Sequence, residues 1–137
     1  MTVLPDWPQG TVAILTTAGE VPHAIPVSTA LRVGRRTAIF GLARRRESLA
    51  RLRADPRVAL TVLAAGDVAF TAHGRAAVLD EVAEGVVAVR LDVEGVQEHG
   101  QPTFVIDDGV VWHWTDKAAE ERNGAVIAAL ADTLPSA

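Results

Sequence analysis

The segment LARLRADPRVAL, Leu49 to Leu60, holds a helix, a stop and a strand in one run. Leu49 and Leu52 share a helical face at i, i+3 while arginines occupy the others, which predicts a helix over Arg45 to Ala54. Asp55-Pro56 ends it, because the residue before proline is pushed out of the α region. Arg57–Ala64 (RVALTVLA) then reads as a strongly apolar strand.

Working outward, Ala65-Gly66-Asp67 turns that strand into a longer one, Val68–Leu79, in which Gly74 marks a bulge or a close approach of another backbone. Asp80–Gly85 is a turn, VVAVRLDVEGV continues as strand, and His99-Gly100-Gln101-Pro102 breaks it. PTFVIDDGVVWHW is expected to be a hairpin with its corner at Asp-Asp-Gly. The tail, Lys117 to Leu134, reads as helix. Upstream, Thr11–Thr17 and Val21–Val33 form a hairpin about Ala18-Gly19-Glu20, and Thr37–Leu42 is a third strand. Pro22 and Pro26 cannot donate to a ladder, so they belong on an edge, at a bulge or where strands part. The expected fold is mainly β (α+β): a six-stranded antiparallel split β-barrel with one inserted helix and a C-terminal helix, in a single domain over residues 1–137.

The chain has 137 residues and no cysteine, which excludes disulfides, thiolate metal sites and a cysteine nucleophile. The start, MTVLPDWPQGT, has no basic stretch leading into an apolar run. No segment approaches the roughly 18 apolar residues that span a bilayer, so a cytoplasmic protein without membrane contact is expected. The net charge of −4 hides an asymmetry: Arg32 to Arg57 holds nine arginines against Glu47 and Asp55, while the rest of the chain is strongly acidic. An acidic protein with one cationic stretch argues for a local anion site and against nucleic acid as partner.

The order of a P-H-x-x-P-V strand (Pro22 to Val27), an I-F-G strand, an arginine-rich helix, D-P-R-V-A-L and then A-H-G-R-A (Ala72 to Ala76) resembles the pyridoxamine 5′-phosphate oxidase-like split-barrel superfamily, over roughly residues 10 to 114. The resemblance implies a homodimer with FMN, or in some branches the deazaflavin F420, at its interface; other members bind haem or no known cofactor. Carried over by position, it places the strand Ile25 to Ala30, with Ile25, Pro26, Val27 and Ser28, along the flavin ring and Gly41 and Leu42 over ring and ribityl chain; His23, beside Pro22 on that strand, is a candidate contact to flavin or substrate, or an ordinary strand histidine bonded to backbone. The Arg-Lys pair that grips phosphate in the oxidase pattern is matched here by Glu47 and Ser48, and Ala69 stands where a glutamine is expected.

Arg44, Arg45 and Arg46 nevertheless stand at the helix start, where free N–H groups and the dipole already favour a phosphate. Arg45, Arg46, Ser48 and Arg51 are the expected phosphate ligands; the bland alternative is a solvated basic surface, or pairing with acidic residues of the same chain or of a dimer partner. Neither His23, His73, His99 nor His113 shows metal-ligand spacing, and no nucleophile-elbow sequence accompanies Ser28. Trp112 and Trp114 flank His113 on one side of a strand, for packing or for stacking on a ring. Two functions stay open: a flavin- or F420-dependent oxidoreductase moving a hydride to or from a small organic substrate, with no catalytic side chain required, or a non-catalytic cofactor- or anion-binding protein.

Overall fold

The computed structural model describes residues 3–133. Its strands are β1 (Ala13–Thr17), β2 (His23–Val27), β3 (Leu31–Gly34), β4 (Thr37–Ala43), β5 (Arg57–Ala64), β6 (Val68–Ala83) and β7 (Val86–Glu98). The helices are α1 (Glu47–Ala54), between β4 and β5, and α2 (Lys117–Thr133). All seven strands join one antiparallel sheet in the order β2-β1-β5-β6-β7-β4-β3.

The strand count corrects the expected six, and the hydrogen-bonded ladder does not close into a barrel. The run Val21–Val33 is two strands, β2 and β3, and these lie at opposite edges of the sheet. Only Ser28, Thr29 and Ala30 join them. So short a link reaches about 14 Å at most, which forces the two edges close together at that end and curls the sheet. Thr29 seals the seam: its hydroxyl accepts the Gly41 N–H at 3.0 Å and donates to the Gly41 carbonyl at 3.2 Å. The edge position of β2 accounts for Pro26 inside a strand, since an edge residue can lack a ladder donor.

Other boundaries shift for identifiable reasons. Arg44–Arg46 form a tight turn, with the Arg46 N–H bonded to the Ala43 carbonyl, so α1 begins at Glu47 rather than Arg45. β6 runs on to Ala83 because its far end pairs with Val86 and Val87, through register shifts, and the turn shrinks to Glu84-Gly85. Gly74 lies at a register shift where an added Cβ would strike the Asp92 carbonyl, so the glycine permits the close approach of β7. The expected hairpin over Pro102–Trp114 is irregular backbone instead. Side-chain bonds hold it: Asp67 Oδ1 accepts the Ile106 N–H at 3.0 Å, and the Trp112 indole donates to the Gly10 carbonyl at 3.0 Å. α2 ends at Thr133, and Leu134 lies outside the described residues.

The concave side of the sheet holds the main core, with Leu15, Phe40, Leu60, Phe70, Val89 and Leu91 fully buried. Leu4 and Trp7 plug it from the N-terminal segment; the Trp7 indole donates to the Ala30 carbonyl at 2.9 Å and its ring lies 5.8 Å from Phe70. The convex side is divided. Over β3, β4 and the adjoining parts of β6 and β7, α2 lays Val126 and Leu130 against Ile39 and Ala88. Among the described residues, α2 makes its contacts with β3, β4 and β6, and α1, which meets β1 and β6, sends Leu49 and Leu52 into the main core, so the convex side of β2, β1 and β5 is left without a helix. Among the described residues no helix is long and apolar enough to cross a membrane.

Candidate functional site

The uncovered convex face is built from alternating side chains of five strands. In β2, Ile25 and Val27 point into the core, leaving Ala24 and Pro26 outside. Cross-strand register then sets Pro26, Ile14, Thr61, Thr71 and Gln97 in one row across β2, β1, β5, β6 and β7. The next row is Ala24, Thr16, Ala59, His73 and Gly95. Small side chains keep that second row low, and the His73 ring lies over Gly95, where a Cβ would collide with it. Ile14 is 39% exposed and Leu63 50%, on strands whose other face is sealed in the core.

At one end of β2, Pro26, Val27 and Ser28 form a cleft of ≈ 200 Å³ with Val12 and Trp112. Trp112 is held by Gly10 and meets Trp114 edge-on at 5.2 Å. The structure therefore brings one of the two tryptophans against the expected cofactor strand. At the other end, His23 lies beside the first turn of α1. Arg51 Nε bonds Glu47 Oε2 at 2.6 Å, and its terminal nitrogen donates to the Val21 carbonyl at 2.9 Å, tying α1 to the β1–β2 turn. The Arg51 hydrogen bond and charge, with a smaller contribution from His23, hold the Glu47 carboxyl below its usual range.

Two polar atoms in this corner are buried without a hydrogen-bond partner within the protein, His23 Nδ1 and Ser48 Oγ. Such groups cost about 1–3 kcal/mol each when nothing meets them. Ser48 is fully buried in the first turn of α1, where backbone N–H groups also lack intrahelical acceptors. Arg45 and Arg46 are exposed and Arg44 reaches Glu81 only at 3.6 Å. With Glu47 and Arg51 paired to each other, the helix start keeps a net positive field. A wider cleft of ≈ 350 Å³ adjoins it, lined by Thr16–Gly19, Pro22 and Arg57–Ala59. There Arg57 is committed to Asp55, whose carboxyl that bond pulls down to about 2.

The expected residues thus fall into three groups. His23, Ser48 and Arg51 meet at the start of α1, with Arg45 and Arg46 on the preceding turn. Pro26, Val27 and Ser28 line the tryptophan cleft, while the Ile25 side chain turns into the core. Gly41 and Leu42 lie elsewhere: Leu42 is in the core, an added Gly41 Cβ would meet Val86, Val126 and Leu130 beneath α2, and Thr29 holds both polar groups of Gly41. Sequence reasoning missed Thr29, Ile14 and a polar line on the uncovered face. In that line Thr61 and Thr71 hydroxyls are 2.9 Å apart, and Thr71 Oγ1 is 2.8 Å from His99 Nε2. The available signal was RVALTVLA itself, apolar toward both faces of a sheet. Among the described residues no group of three or more histidines and carboxylates is placed to hold a metal ion.

No protein-family model matches the sequence, and no curated protein matches it. Solved structures do match the fold. A candidate pyridoxamine 5′-phosphate oxidase from Listeria innocua superposes with a TM-score of 0.58 at 16% identity, over 68% of this chain and 91% of the other. An F420 reductase gives 0.57 at 12% identity, covering 66% and 92%. An FAD-binding protein from Mesorhizobium loti gives 0.54 at 16%, covering 63% and 83%. At these identities the likeness is one of fold alone.

Proposed function

We infer that this chain binds FMN or F420 along β2 and the uncovered face, as a homodimer, and serves as an oxidoreductase that moves a hydride to or from a small organic substrate. The observation that carries the reading is the run of β2 itself. One strand connects an aromatic cleft at Ser28 to the cationic start of α1 at His23. Five residue steps make that about 17 Å, a span suited to a flat ring with an anionic tail.

The residues fit such a molecule. Pro26, Ile14 and Trp112 offer apolar and aromatic contact for the ring, with backbone from Ile25 to Ser28 beside it. Arg45, Arg46, the buried Ser48 hydroxyl and the free N–H groups of α1 suit the phosphate, each charged hydrogen bond being worth about 1.5–3 kcal/mol. Arg51 acts one step back, fixing Glu47 and the β1–β2 turn. The bound cofactor supplies the hydride chemistry, and the protein supplies orientation and a dry surface. A second copy of the chain covers the remaining apolar face, where Leu63, Val110, Val111 and Trp114 are exposed. The absence of cysteine accords with a reducing cytoplasm.

A non-catalytic cofactor carrier is the second reading, favoured by one observation: Glu47 occupies the first turn of α1 and consumes Arg51, leaving fewer cations for a tightly held phosphate. Titration with FMN and then F420, followed by absorbance, tests both. Binding with micromolar affinity that falls tenfold or more, about 1.4 kcal/mol, in Arg45→Glu/Arg46→Glu supports the site. Unchanged affinity in that variant removes the phosphate site, and a wild type that binds neither molecule ends the flavin reading. Light scattering decides the dimer.

A further inference from the structure

We propose that Thr61, Thr71 and His99 form a proton relay whose outer end, the Thr61 hydroxyl, meets the ligand on the uncovered face; this rests on the cofactor reading above. The three groups make an unbroken line, with 2.9 Å between the hydroxyls and 2.8 Å from Thr71 Oγ1 to His99 Nε2. Thr61 and Thr71 are direct partners on β5 and β6, and β-branched side chains hold their rotamers stiffly. The His99 backbone N–H donates to the Ala69 carbonyl at 2.8 Å, which continues the β6–β7 pairing and holds the main chain at His99. Beyond Thr61 the row runs to Ile14 and Pro26, the apolar floor of the proposed site.

A cross-strand threonine pair alone is ordinary sheet chemistry. Ending the line on imidazole changes what it does. A line of hydroxyls has two self-consistent directions. When Nε2 of neutral His99 accepts from Thr71, Thr71 accepts from Thr61, and Thr61 presents a lone pair to a ligand. When Nε2 is protonated the line reverses, and Thr61 presents its proton. Imidazole is the side chain suited to switch between these states near neutral pH. The charged and titratable groups nearby are Glu98 beside it on β7, Asp67 on the β5–β6 turn, Asp107 and Asp108 on the following segment, and His73 on the same face as Thr71.

The relay points to substrates with a carbonyl oxygen. Reducing such a group needs a hydride and a proton. A bound reduced flavin or deazaflavin would supply the hydride, with its two electrons, to carbon, and the carbonyl π pair would go to oxygen. That oxygen takes the Thr61 proton as Thr61 takes the Thr71 proton and Thr71 takes the Nε2 proton. His99 is left neutral, to be recharged from water, and the cofactor is left oxidised. His99 acts through the threonines, as a positioning residue and proton store.

The test follows binding of FMN and F420 from pH about 5 to about 8 in the wild type, His99→Gln and Thr71→Val, with ¹⁵N spectra of the histidine rings. The relay predicts that wild-type affinity changes with pH across that range by about threefold more than in either variant, and that the His99 ring signals move on ligand addition. In Thr71→Val the ligand still binds but the His99 signals stand still. Parallel pH profiles in all three proteins, with ligand bound, overturn the relay and leave the cofactor site intact. A wild type that binds neither ligand overturns the cofactor reading and the relay's ligand end together.

Discussion

The two halves of the convex face are made by the same sheet from the same kind of strand, yet only one is covered. β4 and β7 carry apolar residues toward both sides, and α2 seals the outer set, Ile39 and Ala88, beneath Val126 and Leu130. β1 and β5 also carry apolar residues toward both sides, but Ile14 and Leu63 remain exposed. Apolar surface on a doubly hydrophobic strand that the chain does not cover marks a place for something else to lie. The Thr61–Thr71–His99 line lies on the uncovered half and the tryptophan cleft at its β2 edge, while the unpartnered His23 Nδ1 and Ser48 Oγ lie at the far end of β2 beside α1, His23 on the same side of the strand as the core residues Ile25 and Val27.

The comparison breaks most visibly under matched truncations. Leu130→Ala, fully buried under α2's face of the sheet, should destabilise the protein by about 2–5 kcal/mol in urea unfolding. Leu63→Ala, the counterpart on the uncovered half, should stay within about 0.5 kcal/mol in the dilute, ligand-free protein while weakening ligand binding or dimerisation. Equal losses at the two sites would mean that both halves are covered alike. Next in size is the seam, where Thr29→Val leaves the Gly41 N–H and carbonyl unmet. A loss of about 1–3 kcal/mol, with faster amide exchange at Gly41, is expected.

Ser48→Ala should act in the opposite direction on the free protein. Removing a buried hydroxyl without a partner leaves stability unchanged or raised by about 1 kcal/mol, whereas phosphate-bearing ligands bind less tightly. A clear loss of stability would show the hydroxyl to be satisfied within the fold. The smallest effect belongs to Asp55, remote from both faces. Its folded pKa is depressed to about 2 from 3.8 by Arg57, so its contribution is present above the unfolded value and fades as pH falls through that window. The stability gap between wild type and Asp55→Asn should therefore close on acidification from about pH 4 to about pH 2.

Much of this architecture is legible in the residues, because periodicity and punctuation are local. Asp55-Pro56 stops α1, Pro22 and Pro26 place β2 at an edge, and Gly74 permits a close approach at a register shift. What escapes is what depends on neighbours far along the chain. Nothing in Val21–Val33 says that the sheet is left at Ser28 and rejoined at the opposite edge, since apolar character continues through Ala30. Phe104, Val105, Val110 and Val111 read as strand by composition, yet no ladder receives them. The arginine-rich stretch shows how much charge is present and not how it is spent. Arg51 turns out to be committed to Glu47 and Val21, and Arg57 to Asp55. The Thr61–Thr71–His99 line joins β5, β6 and the residue that follows β7, so no sequence window contains it.

The central claim is that the half of the convex face without a helix is where the cofactor lies. Backbone amide shifts of ¹⁵N-labelled protein, recorded as FMN and then F420 are added, test it directly. The account predicts movements gathered at Ile14, His23, Ala24, Ile25, Val27, Ser28, Ser48, Thr61 and the Trp112 indole, with Ile39, Ala88 and α2 undisturbed. Movements centred beneath α2, or none with either ligand, would contradict it.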